Sequence, residues 1–105
     1  MIEQILTCLN VNGLNHEAFF LRTGDGYELD LVLKIRGEIW GLEIKLSTTP
    51  SNADLERLEK TGKLIAADKQ FLISRTHQEI FGEKTISTNL RGLLRWITES
   101  PVKEG

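Results

Sequence analysis

The chain has 105 residues, 40% of them hydrophobic and 27% charged, with a net charge of −2. That length fits one domain spanning residues 1–105, and the composition excludes disorder. The negative balance excludes a general electrostatic DNA binder, although local basic stretches could still guide a phosphate chain.

No apolar run approaches the ~20 residues of a membrane span. The N-terminus carries Glu3 and no basic flank, so it does not read as a signal peptide. Cys8 is the only cysteine and cannot form an internal disulfide, which points to a reducing cytoplasm.

Ile2, Ile5, Leu6 and Leu9 fall at helical spacing and predict a short helix over residues 2–12, stopped by Asn12-Gly13. Cys8 lies near that stripe and reads as a small buried hydrophobe. Glu3, in the first turn, either complements the helix dipole or serves as a metal ligand. His16 falls in a polar loop with no visible partner. Ala18–Arg22 reads as a strand with Phe19 or Phe20 in the core. Arg22 is read as a solvated edge residue, with a phosphate contact as the alternative. Thr23-Gly-Asp-Gly26 is a turn, and Asp25 is read as a turn residue rather than a ligand.

Residues 27–46 carry two period-two alternations, the pattern of a β-hairpin. Leu29, Leu31, Leu33 and Ile35 share one face of the first strand; Glu28, Asp30, Val32 and Lys34 share the other. In the second strand Trp40, Leu42, Ile44 and Leu46 oppose Ile39, Gly41, Glu43 and Lys45. With Arg36-Gly37 as a two-residue loop, Ile35 faces Glu38, Asp30 faces Glu43, and Glu28 faces Lys45. A slip of one residue would mismatch both apolar rows. A three-residue loop with Gly37 in the left-handed region would require a compensating bulge.

A polar loop, Leu46-Ser-Thr-Thr-Pro50, comes next. Ser51 or Asn52 caps a helix over Asn52–Ala67, and Ser51 with Asp54 has capping-box spacing. Leu55, Leu58, Gly62 and Ile65 form its apolar stripe. Lys60 and Lys63 lie away from it, as solvated surface or as a phosphate track. Gln70–Ser74 is a short apolar run that suits a buried central strand, parallel to Glu38–Leu46. Arg75–Glu79 connects onward, with His77 as a loop histidine. Lys84–Ser87 reads as an edge strand. From Asn89 a helix runs through Leu90, Leu93, Leu94 and Ile97, and Trp96 beside that stripe marks an exposed apolar or subunit surface. Ser100–Gly105 is a polar tail. The whole order predicts an α/β sandwich with a mixed sheet.

The chemistry concentrates on Asp30, Glu43 and Lys45, with Glu28 beside them. Adjacent carboxylates repel, and a shared proton or a divalent cation relieves the strain. Carboxylate oxygens with water suit Mg²⁺ or Mn²⁺. Such an ion polarises a phosphoryl oxygen, and a neighbouring lysine stabilises charge on the phosphate. The same four residues can also be plain cross-strand charge pairs on a solvated sheet face.

Asp30 followed by Glu43-Ile44-Lys45 resembles the core motif of the PD-(D/E)XK nuclease superfamily. The wider wording Arg22-Thr-Gly-Asp-Gly-Tyr-Glu-Leu-Asp30 and Leu42-Glu-Ile-Lys-Leu-Ser47 is closest to the C-terminal nuclease-like domain of unknown function found on AAA-type ATPases. The resemblance covers about residues 17–75 and, more loosely, the whole chain. It implies a restriction-endonuclease-like three-layer sandwich whose mixed central sheet contains an antiparallel hairpin. It implies Asp30 and Glu43 as metal ligands, Lys45 as the catalytic lysine, and Glu3 as a match for an acidic helix residue. Mg²⁺ or Mn²⁺ would be the cofactor, DNA the substrate, and an ATPase a partner. Cutting both strands would call for a homodimer, since one such subunit covers little duplex. The competing reading is a non-catalytic scaffold or interaction module that keeps the fold.

Overall fold

The hairpin predicted for residues 27–46 frames the molecule. In the computed structural model, which describes residues 1–22 and 28–99, β2 (Glu28–Ile35) and β3 (Glu38–Ile44) are antiparallel. Their register runs from Ile35 facing Glu38 down to Leu31 facing Leu42, as the alternation requires. Both loop residues have positive φ, 53° at Arg36 and 78° at Gly37. That is the two-residue type I′ geometry, whose twist matches the flanking strands.

Around this pair the chain builds one six-stranded mixed sheet in the order β1-β2-β3-β4-β6-β5. β1 (His16–Arg22) pairs antiparallel with β2. β4 (Lys69–Ile73) runs parallel to β3, as predicted for the apolar run at 70–74, and β6 (Thr85–Thr88) runs parallel to β4. β5 (Ile80–Phe81) closes the far edge, antiparallel to β6. β6 is therefore interior and not the edge strand expected of Lys84–Ser87. The two-residue β5 is too short to leave a pattern in the sequence.

Helices cover both faces. α1 (Ile2–Val11) and α3 (Leu90–Glu99) bury Ile5, Leu9, Leu93 and Ile97 against Leu31, Leu33, Ile35, Trp40 and Phe71. α2 (Asn52–Leu64) covers the other face, where Leu58 meets Leu29, Val32 and Leu72, with Leu55 and Ile65 beside it. The result is the three-layer α/β sandwich that the order of elements predicted. Fully burying a side chain such as Leu58 contributes roughly 1.5–3 kcal/mol.

Several expectations are corrected. Phe19 and Phe20 are both exposed, at 44% and 78%, so neither enters the core from β1. Leu46 lies past the end of β3 and is exposed. His16 lies in β1, with its Nδ1 2.9 Å from the Leu14 carbonyl oxygen. Trp96 stacks into the core, 6.0 Å from Phe71 and 6.3 Å from Phe81, and so does not mark an open surface. Cys8 is only partly buried, against the α1–α3 core, and its thiol is free. The turn at 23–26 with Asp25, and the tail at 100–105, lie outside the described residues.

Regular pairing breaks at one place, beside the acidic residues of β2. Between β1 and β2 the register shifts: Phe19 faces Val32, but Leu21 faces Leu29. β2 spends one more residue than β1 over that interval, which is a β-bulge. It turns Leu29 to the α2 face beside Val32, where strict alternation predicts the opposite face. Asp30 sits inside the bulge.

α2 ends in a Schellman motif: Ala67 N–H donates to the Gly62 carbonyl at 2.9 Å, and Ala66 N–H to that of Lys63 at 3.4 Å. The left-handed position, φ 52°, is held by Ala66, whose Cβ is strained there. Ala66→Gly should therefore stabilise the fold by about 0.5–1 kcal/mol in urea unfolding, with an unchanged m-value.

Candidate functional site

The site forms where β3 runs out and α2 begins. Up to Leu42 the N–H and C=O groups of β3 are shared with β2 on one side and β4 on the other. Then β2 bulges away. The Ile44 N–H loses its strand partner on that side and donates instead to Asp30 Oδ2, at 2.6 Å. A buried amide left without an acceptor costs about 1–3 kcal/mol, so this carboxylate has structural work independent of any chemistry. On the other side, β4 keeps hold: Lys45 N–H donates to the Ile73 carbonyl at 2.8 Å.

Glu43 lies one residue before this split, with its side chain on the α2 face. Its Oε1 accepts from Arg57 Nη2 at 3.1 Å. Its Oε2 is buried and has no hydrogen-bond partner among the described residues. Burial pushes the Glu43 carboxyl above its ordinary pKa. Arg57 opposes that shift, while the charges of Asp30 and Asp54 reinforce it. Asp30 is thus close enough to act on Glu43, which places the two predicted acids in one neighbourhood.

Lys45 does not face Glu28 as the extended hairpin register predicted. The β2–β3 register stops at Leu31 and Leu42, so Lys45 has no partner on β2. Its ammonium bonds Asp54 Oδ1 at 2.6 Å instead, while the side chain stays 40% exposed. Glu28 pairs through its backbone with Arg22, and its side chain lies outside the described residues. Glu3 lies exposed on α1, along a groove lined by Gln4, Thr7 and Val11, and α1 covers the face opposite α2. The structure therefore gathers Asp30, Glu43 and Lys45 at one corner and leaves Glu3 apart.

Two residues outside the predicted set complete the corner. Asp54 is the third residue of α2 and closes a capping box with Ser51. Its N–H donates to Ser51 Oγ at 3.2 Å, and its Oδ2 accepts from Ser51 N–H at 2.9 Å. The Lys45 bond, helped by Ser51, lowers the Asp54 carboxyl to about 2. Arg57, one turn further on, reaches Glu43 and also lies 3.7 Å from Asp54 Oδ1. Asp54 was legible as a helix cap. Its second role comes from a short loop, residues 46–51, which folds the start of α2 back onto the end of β3.

The remaining candidates stay apart from this chemistry. Ser47 is held by its backbone, its carbonyl accepting from Arg75 N–H at 2.9 Å, while its buried hydroxyl lacks a partner among the described residues. Thr48, Thr49, Lys60, Lys63 and His77 are exposed. Among the described residues, no group of three or more histidine, cysteine or acidic side chains is arranged to hold a metal ion unaided. No helix among them is long and apolar enough to cross a membrane.

Residues 1–92 match the family described as a domain of unknown function, DUF4143, and the chain belongs to that family. No curated protein and no solved structure gives a significant match.

The lowered Asp54 carboxyl makes stability depend on acid in a defined window. Its contribution is fully present above the unfolded value near 4 and is lost as pH falls towards about 2. Asp54→Asn should cost about 1–2 kcal/mol at pH 7, a figure discounted for the solvent around Lys45. It should also flatten the fall in stability between pH 4 and pH 2, as measured by urea unfolding across that range.

Proposed function

We propose that this domain is a divalent-metal-dependent nuclease that hydrolyses phosphodiester bonds in DNA, working in a reducing cytoplasm where its free cysteine is stable. The observation that carries the reading is the Glu43 carboxylate. One of its oxygens is buried without a partner among the described residues, next to a second acid, in a corner that holds three carboxylates against two cations. Such an oxygen suits a hard cation.

The donor set fits the ion in kind. Mg²⁺ needs only one or two carboxylates from the protein when water and substrate phosphate complete its shell. Asp30 and Glu43 would hold it, and when bound it supplies Lewis-acid charge at a phosphoryl oxygen. Lys45 carries a 40% exposed side chain whose ammonium is paired with Asp54, so it can stabilise negative charge that develops on the phosphate. The corner also lies at the carboxyl end of parallel strands, where open α/β sheets commonly bind ligands.

A second reading rests on the same ion pairs. Lys45 is bonded to Asp54, and Glu43 to Arg57, so the charges already have partners inside the fold. A scaffold or interaction module would need no more than this.

Titration calorimetry with Mn²⁺ separates the two. The nuclease reading expects saturable binding by the wild type and none by Asp30→Asn, a variant that keeps an oxygen for the Ile44 N–H. Lys45→Ala should still bind Mn²⁺ but cleave a DNA oligonucleotide at least about 100-fold more slowly. Flat calorimetric traces for the wild type would leave the scaffold.

A further inference from the structure

Arg57 has a position that neither a structural pair nor a simple surface charge accounts for. It projects from the first turns of α2, remains 55% exposed, and still reaches Glu43 Oε1 at 3.1 Å, with Asp54 Oδ1 at 3.7 Å. It thus covers one oxygen of the only acid here whose other oxygen is buried without a partner among the described residues. We infer that Arg57 is an exchangeable counter-ion: it neutralises Glu43 while no metal is bound, gives way when a divalent cation arrives, and then clamps the substrate phosphate.

This inference rests on the nuclease reading and extends it to a residue outside the Asp30–Glu43–Lys45 set. The first argument is charge. Three carboxylates face two cations in the corner. A divalent ion turns the net charge to plus one, which complements the single negative charge of a phosphodiester. The second argument is competition. Glu43 cannot keep a guanidinium on Oε1 and offer both oxygens to a metal, so each cation weakens the other's hold. The third is reach. Arg57 sits on a capped helix start, and its planar fork suits phosphate once Glu43 releases it. Asp54 differs: both its oxygens are engaged by Lys45 and the Ser51 amide, so it stays as the fixed anchor.

The prediction is a pair of effects of opposite sign. Arg57→Ala in the full chain should bind Mn²⁺ about three- to tenfold more tightly than wild type in calorimetry. The same variant, in saturating Mn²⁺, should bind a phosphorothioate DNA oligonucleotide about three- to tenfold more weakly by fluorescence anisotropy. Arg57→Met, which keeps the aliphatic stem, should behave alike, and far-UV circular dichroism verifies that both variants fold. Unchanged or weaker Mn²⁺ binding by folded variants, with the wild type binding normally, overturns this inference and leaves the nuclease reading intact. Tighter Mn²⁺ binding with unchanged oligonucleotide affinity also overturns it, since the clamp is then absent. A wild type that binds no Mn²⁺ overturns both.

Discussion

The hydrogen bond from the Ile44 amide to the Asp30 carboxylate is the joint on which this molecule turns. β3 is shared between an antiparallel neighbour and a parallel one, and the two part company at its C-terminal end. A bulge in β2 opens the gap, and a side chain closes it. Without that closure the end of β3 would carry an unmet amide at the point where the chain must leave for α2. The bulge also turns Leu29 onto the α2 face, so one local irregularity positions an acid and feeds the second core.

The electrostatics of the corner grow from this joint. α2 returns at once through a short loop, and its cap brings an acid and a guanidinium to the end of β3. Asp54 joins helix start and strand end through two kinds of bond, to the Ser51 amide and to the Lys45 ammonium. Burial keeps Glu43 reluctant to ionise, and the neighbouring acids add to that reluctance. The corner is charged, crowded and only partly compensated. Catalytic and cation-binding sites share those properties, although buried ion-pair networks in ordinary folds share them too.

Much of the fold was legible because periodicity and turn chemistry agree. The alternation over 27–46 set the hairpin register, and the Arg36-Gly37 loop met it with the twist that a two-residue turn supplies. The stripe of Leu55, Leu58, Gly62 and Ile65 placed α2 on the sheet, and Ser51 with Asp54 marked where it starts. What escaped was what period-two reasoning cannot see. An inserted residue in β2 broke the extrapolation from Leu31 to Glu28 and sent Lys45 to a helix in place of a strand. Phe19 and Phe20 misled because an edge strand exposes residues of any kind, and Trp96 misled because its aromatic partners come from β4 and β5, distant in sequence. Of the site, the meeting of Asp30 with Glu43 was visible from register alone. Arg57 was not, because its role depends on how the loop at 46–51 closes.

The division of labour at the corner bears on how related chains should be compared. Asp30 finishes a strand and Lys45 fastens a helix cap, so a descendant that had abandoned turnover would still have reason to retain both. Glu43 is different, because its sequestered oxygen relieves no other strain among the described residues. In a sister domain, the loss of that one carboxylate would say more about lapsed chemistry than the persistence of its two better-employed neighbours.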